Sequence, residues 1–290
     1  MKKGVLYALI TAVLFVTLEP VSKLIAGEIN PYAITFWRFF IGSFILIPPA
    51  VSKLRRENIK ITARDVGITT ALGVLFICIS MVALQLAVKI ADAPSLIAII
   101  FSSNSVFTIV FAVFIIGEKL TKNKALALLF GILGVVFCAD FSSGTNLSSV
   151  ALALFAALAF SLYTALSQRF NKKLGGVIQT AMVFLLGSVV LFIALLFMGV
   201  DVFPAIGGNS LAILLYLGFL VTGAGYASYF LAIEKGGAIM ASLAFFIKPI
   251  LTPFVTFFIN GIVPDIKVFL AVLCIVAASY LAVYRKKARD

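Results

Sequence analysis

In the stretch FFIKPILTP, residues 245–253, a lysine and two prolines sit within an apolar run that extends from Ala238 to Ile259. A run of that length can cross the ~30 Å hydrocarbon core of a bilayer as a helix. A charge at its centre, here Lys248, costs roughly 2.5–3.5 kcal/mol on insertion scales and so needs a partner or a purpose. Pro249 and Pro253 cannot donate to the carbonyls one turn back, and carbonyls freed at that depth must be met by protein or by a wet cavity. Three more ionisable residues fall inside apolar runs: Glu19 and Lys23 in the first and Arg38 in the second. A carboxylate beside cations at membrane depth can hold a structural ion pair, exchange a proton or take a substrate ammonium. A lysine among hydroxyl and amide groups suits a carboxylate or phosphate oxygen.

The helices that carry these residues set their depths. Glu19 and Arg38 each lie about seven residues from the same end of consecutive antiparallel spans, roughly 10 Å below that surface. They are expected to meet, either as an ion pair that fixes packing or as a coupling site. Lys23 is one turn from Glu19 and near enough to the interface to snorkel. Lys248 lies near the midplane, opposite the polar patch Ser102, Ser103, Asn104 and Ser105 of the fourth span, and Ser102, Ser103 and Asn104 are expected to share a substrate site with it; the alternative is a lysine held only by freed carbonyls or by Glu19. Tyr226 and Tyr163 are candidates for the cavity wall, although buried tyrosines also serve as packing groups with one hydrogen bond. Gln85 is a further candidate. Pro20, Pro249 and Pro253 are expected to break or gate their helices. Ala127 and Gly131 form a small-residue face fit either for a homodimer or for packing within a monomer.

Composition bounds the class. The 290 residues are 63% hydrophobic and 12% charged, with a mean hydropathy of +1.19, whereas soluble domains carry about 25% charged residues. Apolar runs at approximately 4–26, 31–51, 66–90, 94–116, 123–140, 148–169, 177–199, 210–233, 237–259 and 266–284 predict ten spans. The net charge of +12 is no nucleic-acid signature, because the basic residues cap hydrophobic runs. Alternate linkers hold Lys53, Arg55, Arg56, Lys119, Lys122, Lys124, Arg169, Lys172 and Lys173, and the opposite face gets only Lys89 and Lys267. That asymmetry places both termini in the cytoplasm of a multi-pass cell-membrane protein. The start MKK followed by an apolar run reads as an uncleaved first span. There is no histidine, and Cys78, Cys138 and Cys274 stand apart, so neither a metal site nor a cofactor is expected.

A shift of 145 residues aligns the two halves without a gap. Leu9 meets Leu154, Phe15 meets Phe160, Phe39 meets Phe184, Gly42–Ser43 meets Gly187–Ser188, and Leu72–Gly73 meets Leu217–Gly218. Ser103 falls on Lys248, and Asn104 falls on Pro249. Five spans per half make the second half, 146–290, enter the membrane opposite to the first, 1–145. The expected architecture is therefore all-α and integral to the membrane, with ten transmembrane helices in two inverted-topology repeats of the kind used for alternating access.

With these marks the chain resembles the EamA-type members of the drug/metabolite transporter superfamily. The particular residues are Arg38 in FWRFF, the turn GEKLT with Gly117, Glu118 and Thr121, and Lys248–Pro249 in the central helix of the second half. The second half departs from the pattern by placing Val263 opposite Glu118. The resemblance implies a secondary carrier and leaves the cargo open; the leading expectation is transport, with export the preferred direction, of a small polar or zwitterionic metabolite such as an amino acid or organic acid. Proton coupling through Glu19 and facilitated diffusion both fit. A flippase or exporter for lipophilic drugs or lipid-linked sugars is the alternative. An integral membrane enzyme is disfavoured by the lack of paired carboxylates or histidine.

Overall fold

The structure, a computed structural model, describes residues 2–117, 121–138, 146–170, 173–203 and 207–283, and among these every regular element is a helix. Glu118 of the GEKLT turn and the basic tail from residue 284 lie outside them. α1 (Lys2–Val16) and α2 (Leu18–Ile25) form one span interrupted at Thr17, where Pro20 has no N–H for the carbonyl of Val16. α3 (Pro31–Arg56) starts at Asn30, whose side chain accepts from the Tyr32 N–H at 3.0 Å. α4 (Ala63–Gly73) opens on a capping box between Thr62 and Asp65 and runs through a π-helical segment, Val74–Met81, into α5 (Val82–Ile90). α6 (Pro94–Ser102) and α7 (Asn104–Phe111) make the fourth span, bent at Ser103 and finished by a second π-helical segment, Ala112–Ile116.

α8 (Lys122–Cys138), α9 (Leu147–Phe170) and α10 (Gly175–Phe197) follow. α11 (Gly208–Leu215) leads through a third π-helical segment, Tyr216–Ala224, into α12 (Gly225–Asn260), and α13 (Ile266–Val283) ends the described chain. Seven of these helical stretches are long and apolar enough to cross a membrane, so this is a multi-pass membrane protein. The sequence reading expects ten spans. The remaining three fall on α8, which has 17 residues, and on the shorter apolar stretches Ile247–Asn260 and Ile266–Leu281.

α12 is helical in local conformation across the expected boundary near Lys235–Gly237. It is not straight. The rings of Tyr229 and Phe245 are 5.5 Å apart, whereas sixteen residues of straight helix span ~24 Å. Phe15 on α1 touches both arms, lying 5.0 Å from Tyr226 and 6.2 Å from Phe245. The helix therefore doubles back between Tyr229 and Phe245.

The packing is reciprocal. α1 lies along α12, while α9 lies along α5 and α7; α3 crosses α10; α8 pairs with α13. Glycines allow the closest crossings. A Cβ on Gly73 would sit 2.8 Å from the Gly187 Cα, and one on Gly42 would sit 2.9 Å from the Thr222 methyl. A Cβ on Gly131 would meet Val106 at 2.7 Å, so the Ala127–Gly131 face packs within the chain. The helix ends preceding the two related turns close on left-handed Gly117 (φ 80°) and Gly261 (φ 70°), a conformation glycine adopts without strain. These caps are 144 residues apart, so the gapless alignment slips by one here, and Val263 is not the counterpart of Glu118.

Because Gly73 and Gly187 meet backbone to backbone, Gly187→Leu is expected to destabilise the protein by about 1–3 kcal/mol through overpacking. Gly67→Ala, inside α4 with nothing within 4 Å of its added methyl, should cost nothing and gain up to about 1 kcal/mol of helix propensity. Thermal unfolding in detergent distinguishes the two, and equal midpoints would refute the close crossing.

Candidate functional site

Three ionisable side chains are buried together: Glu19 is 0% exposed, Arg38 3% and Lys248 5%. Each owes its place to a local device. The Pro20 interruption starts a new helix at Leu18, and Glu19 falls in its first turn, where the helix dipole favours negative charge. Arg38 is carried by the uninterrupted α3, one residue before the fully buried Phe39. Lys248 lies on the second arm of α12, just before Pro249. The helix runs on through Pro249 and Pro253 instead of breaking, and the Thr252 hydroxyl donates to the Lys248 carbonyl at 2.7 Å.

The charges take the alternative pairing, Lys248 with Glu19, and not the leading one, Glu19 with Arg38. Lys248 Nζ donates to Glu19 Oε1 at 2.6 Å, while Glu19 Oε2 is sealed from solvent and has no hydrogen-bond partner. Among the described residues no carboxylate lies within ion-pair distance of Arg38. The expected Glu19–Arg38 pair is thus replaced by Glu19–Lys248, because the doubled-back α12 brings Lys248 to the carboxylate first. Arg38 has neutral neighbours: Nε donates to the Thr222 hydroxyl and Nη1 to Gln85 Oε1, both at 3.4 Å. Gln85 also exchanges hydrogen bonds with Ser22, at 2.6 and 2.9 Å. Lys23 donates to the carbonyls of Lys89 and Ala91 at 2.8 and 2.6 Å, capping the end of α5 near the surface.

The serine–asparagine patch is not part of this cluster. Ser102 donates to the Ala98 carbonyl, Ser103 to Ile100 and Asn104 to Phe101, all on their own span. Each has a buried carbonyl within one turn, and that local satisfaction wins over a shared site with Lys248. The residue of this span that approaches Lys248 is Phe101, whose ring centre lies 5.7 Å from Nζ.

A cavity of about 30 Å³ lies at the centre, its wall including Arg38, Lys248, Thr222, Tyr226, Phe101 and Phe245. It has room for a water or two and no organic solute. Tyr226 lines it as expected, whereas Tyr163 stacks on Phe76 at 4.6 Å outside it. A second cavity, about 260 Å³, opens towards the end of α3 that bears Lys53 and Arg56, and Ala227 and Phe230 contribute to its wall. Neighbouring residues of α12, Tyr226 and Ala227, therefore face the two spaces. Tyr226 belongs to an aromatic cluster: Phe184 lies 4.9 Å from Phe39 and 5.1 Å from Tyr226, ring to ring. At the opposite end of α3 the indole of Trp37 donates to the Val202 carbonyl at 2.8 Å, and Ser210 donates to Glu28.

Two features escape the sequence reading. Thr222 is a single hydroxyl in an apolar span and is not among the expected site residues, yet it accepts from Arg38. The π-helical segments before Gln85 and around Thr222 also carry no signal in the sequence. In each, an N–H bonds five residues back, Val82 to Ile77 and Gly225 to Leu220. The extra residue per turn re-aims the side chains that follow.

Comparisons with known proteins agree with one another. The EamA-like transporter family matches the chain twice, over residues 2–139 and 147–284. A protein of Clostridium kluyveri described as an uncharacterized transporter is 33% identical over 300 residues, covering 100% of this chain and 96% of its own. An uncharacterized transporter of Archaeoglobus fulgidus is 24% identical over 226 residues, covering 77% and 78%. A solved crystal structure at 18% identity superposes with a TM-score of 0.67 over 98% of this chain and 97% of that one, a likeness of fold.

Removing one partner of a buried ion pair typically costs about 3–5 kcal/mol. Glu19→Gln and Lys248→Met are each expected to lose that much in unfolding experiments, and the double variant much less than the sum. Additivity within about 0.5 kcal/mol would show that the two groups are not coupled.

Proposed function

The chain belongs to the EamA-like transporter family, and we propose that it is a secondary carrier of small polar organic metabolites, organic acids or amino acids. It would expose a central site alternately to the two sides of the cell membrane. In this reading ten spans form two inverted five-helix repeats, 1–145 and 146–290, with both termini in the cytoplasm. Support comes from the two family matches, the reciprocal packing of the halves and the basic residues gathered at one end of the spans. The observation that carries the functional reading is the cavity between the halves, walled by Arg38, Lys248 and Tyr226. Sites at the interface of such repeats near the midplane are the usual place for a carrier's substrate.

The conformation fits a closed stage of such a cycle. The space beside Arg38 is too small for an organic solute, and the larger cavity opens at the basic end. That end is the cytoplasmic one on the proposed orientation. Opening would need Tyr226, Phe39 and Phe184 to part, while the contacts of Trp37 and Ser210 hold the other end shut. The engagement of Lys248 by Glu19 lends some weight to the alternative, a flippase for amphiphiles with a largely apolar route. Arg38, facing the cavity with no carboxylate, favours a polar solute.

Counterflow into proteoliposomes with a panel of labelled amino acids and organic acids tests the proposal. Saturable uptake above empty liposomes is expected for at least one class, reduced tenfold or more by Lys248→Ala. Absence of flux across the panel would sink the carrier reading, and unchanged uptake in the variant would remove Lys248 from the site.

A further inference from the structure

We infer that the central site takes a monoanionic carboxylate with an apolar body and discriminates against the zwitterion of the same shape. This rests on the carrier reading for its place in a transport cycle, but the binding preference follows from the charges alone. Around the cavity stand two cations and one anion, and the anion is spent: Glu19 holds Lys248 at 2.6 Å. Arg38 is left as the charge without an opposite, 3% exposed and part of the cavity wall.

Its hydrogen bonds to Thr222 and Gln85 are both 3.4 Å, at the long limit for N–H···O. Gln85 Oε1 is shared with the Ser22 hydroxyl at 2.9 Å. A guanidinium presents five N–H donors in a planar fork, and the others find no partner among the described residues. A planar carboxylate fills such a fork with two parallel bonds and brings the local charge to zero. A phosphate dianion would overshoot it.

An ammonium group has no matching place. Glu19 Oε2 is free of hydrogen bonds, but it is sealed, and Glu19 does not contribute to the cavity wall. The phenol of Tyr226 is neutral and cannot compensate a charge of that size. The rest of the wall is apolar, with Phe15, Leu18, Met81, Phe101, Phe160 and Phe245, and these side chains would cover a hydrocarbon or aryl body once the cavity widens from this closed stage. An amino acid would thus bring one group that the site satisfies and one that it leaves unpaired, whereas a des-amino acid brings only the first.

Equilibrium dialysis of the purified protein in detergent against three probes of one shape decides the matter: 3-phenylpropanoate, phenylalanine and 3-phenylpropylamine. Saturable binding of 3-phenylpropanoate is expected, at least tenfold tighter than phenylalanine, with no binding of the amine. Arg38→Gln should abolish it, and Arg38→Lys, which keeps the charge and loses the fork, should weaken it about tenfold. Should Arg38→Gln fail to fold, Arg38→Lys decides alone. Absence of 3-phenylpropanoate binding, equal or tighter binding of phenylalanine or of the amine, or unchanged affinity in Arg38→Lys would each overturn the inference. Proteoliposome flux of the same probe separates the two readings. Binding without flux leaves the carboxylate site standing and removes the carrier.

Discussion

A single buried contact, Lys248 with Glu19, ties together most of what is unusual in this chain. Two ions at 2.6 Å with almost no exposure are costly to desolvate, and their attraction offsets that cost only with good geometry. The geometry has three sources. Pro20 interrupts the first span and puts Glu19 in a new first turn. The doubled-back α12 returns towards α1, as the contacts of Phe15 with both arms record. Thr252 then supplies a hydroxyl to the carbonyl of the lysine itself. Move any one of these and a bare charge is left in the bundle, so the pair constrains backbone as much as it neutralises charge.

The pair also determines what its neighbours can do. With Lys248 occupied, Arg38 becomes the electrostatically open group, and its amide and hydroxyl neighbours give it orientation without cancelling its charge. These neighbours owe their aim to the π-helical turns at Val74–Met81 and Tyr216–Ala224, which occupy related places in the two halves. Gly42 meets Thr222 across the α3 crossing, and Gly73 meets Gly187 across the crossing of α4 and α10. Since a glycine contact has no side chain to interlock, such crossings bring backbones close while leaving few rotamers to rearrange if helices slide. In the proposed cycle they would serve as pivots, with the aromatic cluster around Phe184 as the part that opens.

Much of this was legible in the sequence because membranes enforce simple rules. Apolar length marked the helices, and the gapless shift of 145 residues found related glycines, phenylalanines and polar positions. What failed was the pairing of charges and the aim of polar groups. Glu19 and Arg38 have equal depths on consecutive helices, so depth alone favours their contact. The competing partner is separated from Glu19 by 229 positions in the chain, beyond any local pattern. Ser102, Ser103 and Asn104 looked like ligands because they are polar, yet their short side chains reach carbonyls on their own helix more easily than a group across a cavity. Tyr163 shows the same limit from the apolar side, since residue type does not tell a stacked ring from a cavity wall. The slip of one residue between Gly117 and Gly261 is likewise a matter of where a helix cap closes, which an apolar alignment does not register.

The asymmetry between the halves follows from the same contact. Under the repeat, Lys248 corresponds to Ser103 and Pro249 to Asn104, while Glu19 corresponds to Thr164, which donates to its own helix at the carbonyl of Phe160. One half thus carries an ion pair joining its first span to the other half, and the related place has two self-satisfied hydroxyls. A scaffold whose halves pack reciprocally can exchange conformations with small changes in buried area, because each crossing gained on one side resembles one lost on the other. A charge pair present on one side only is not exchanged in this way. In the proposed cycle it would stay as a fixed link between α2 and α12 while other crossings shift, holding Arg38 and the aromatic wall in one frame. On that proposal the repeat would supply the motion, and the residues that break it the chemistry.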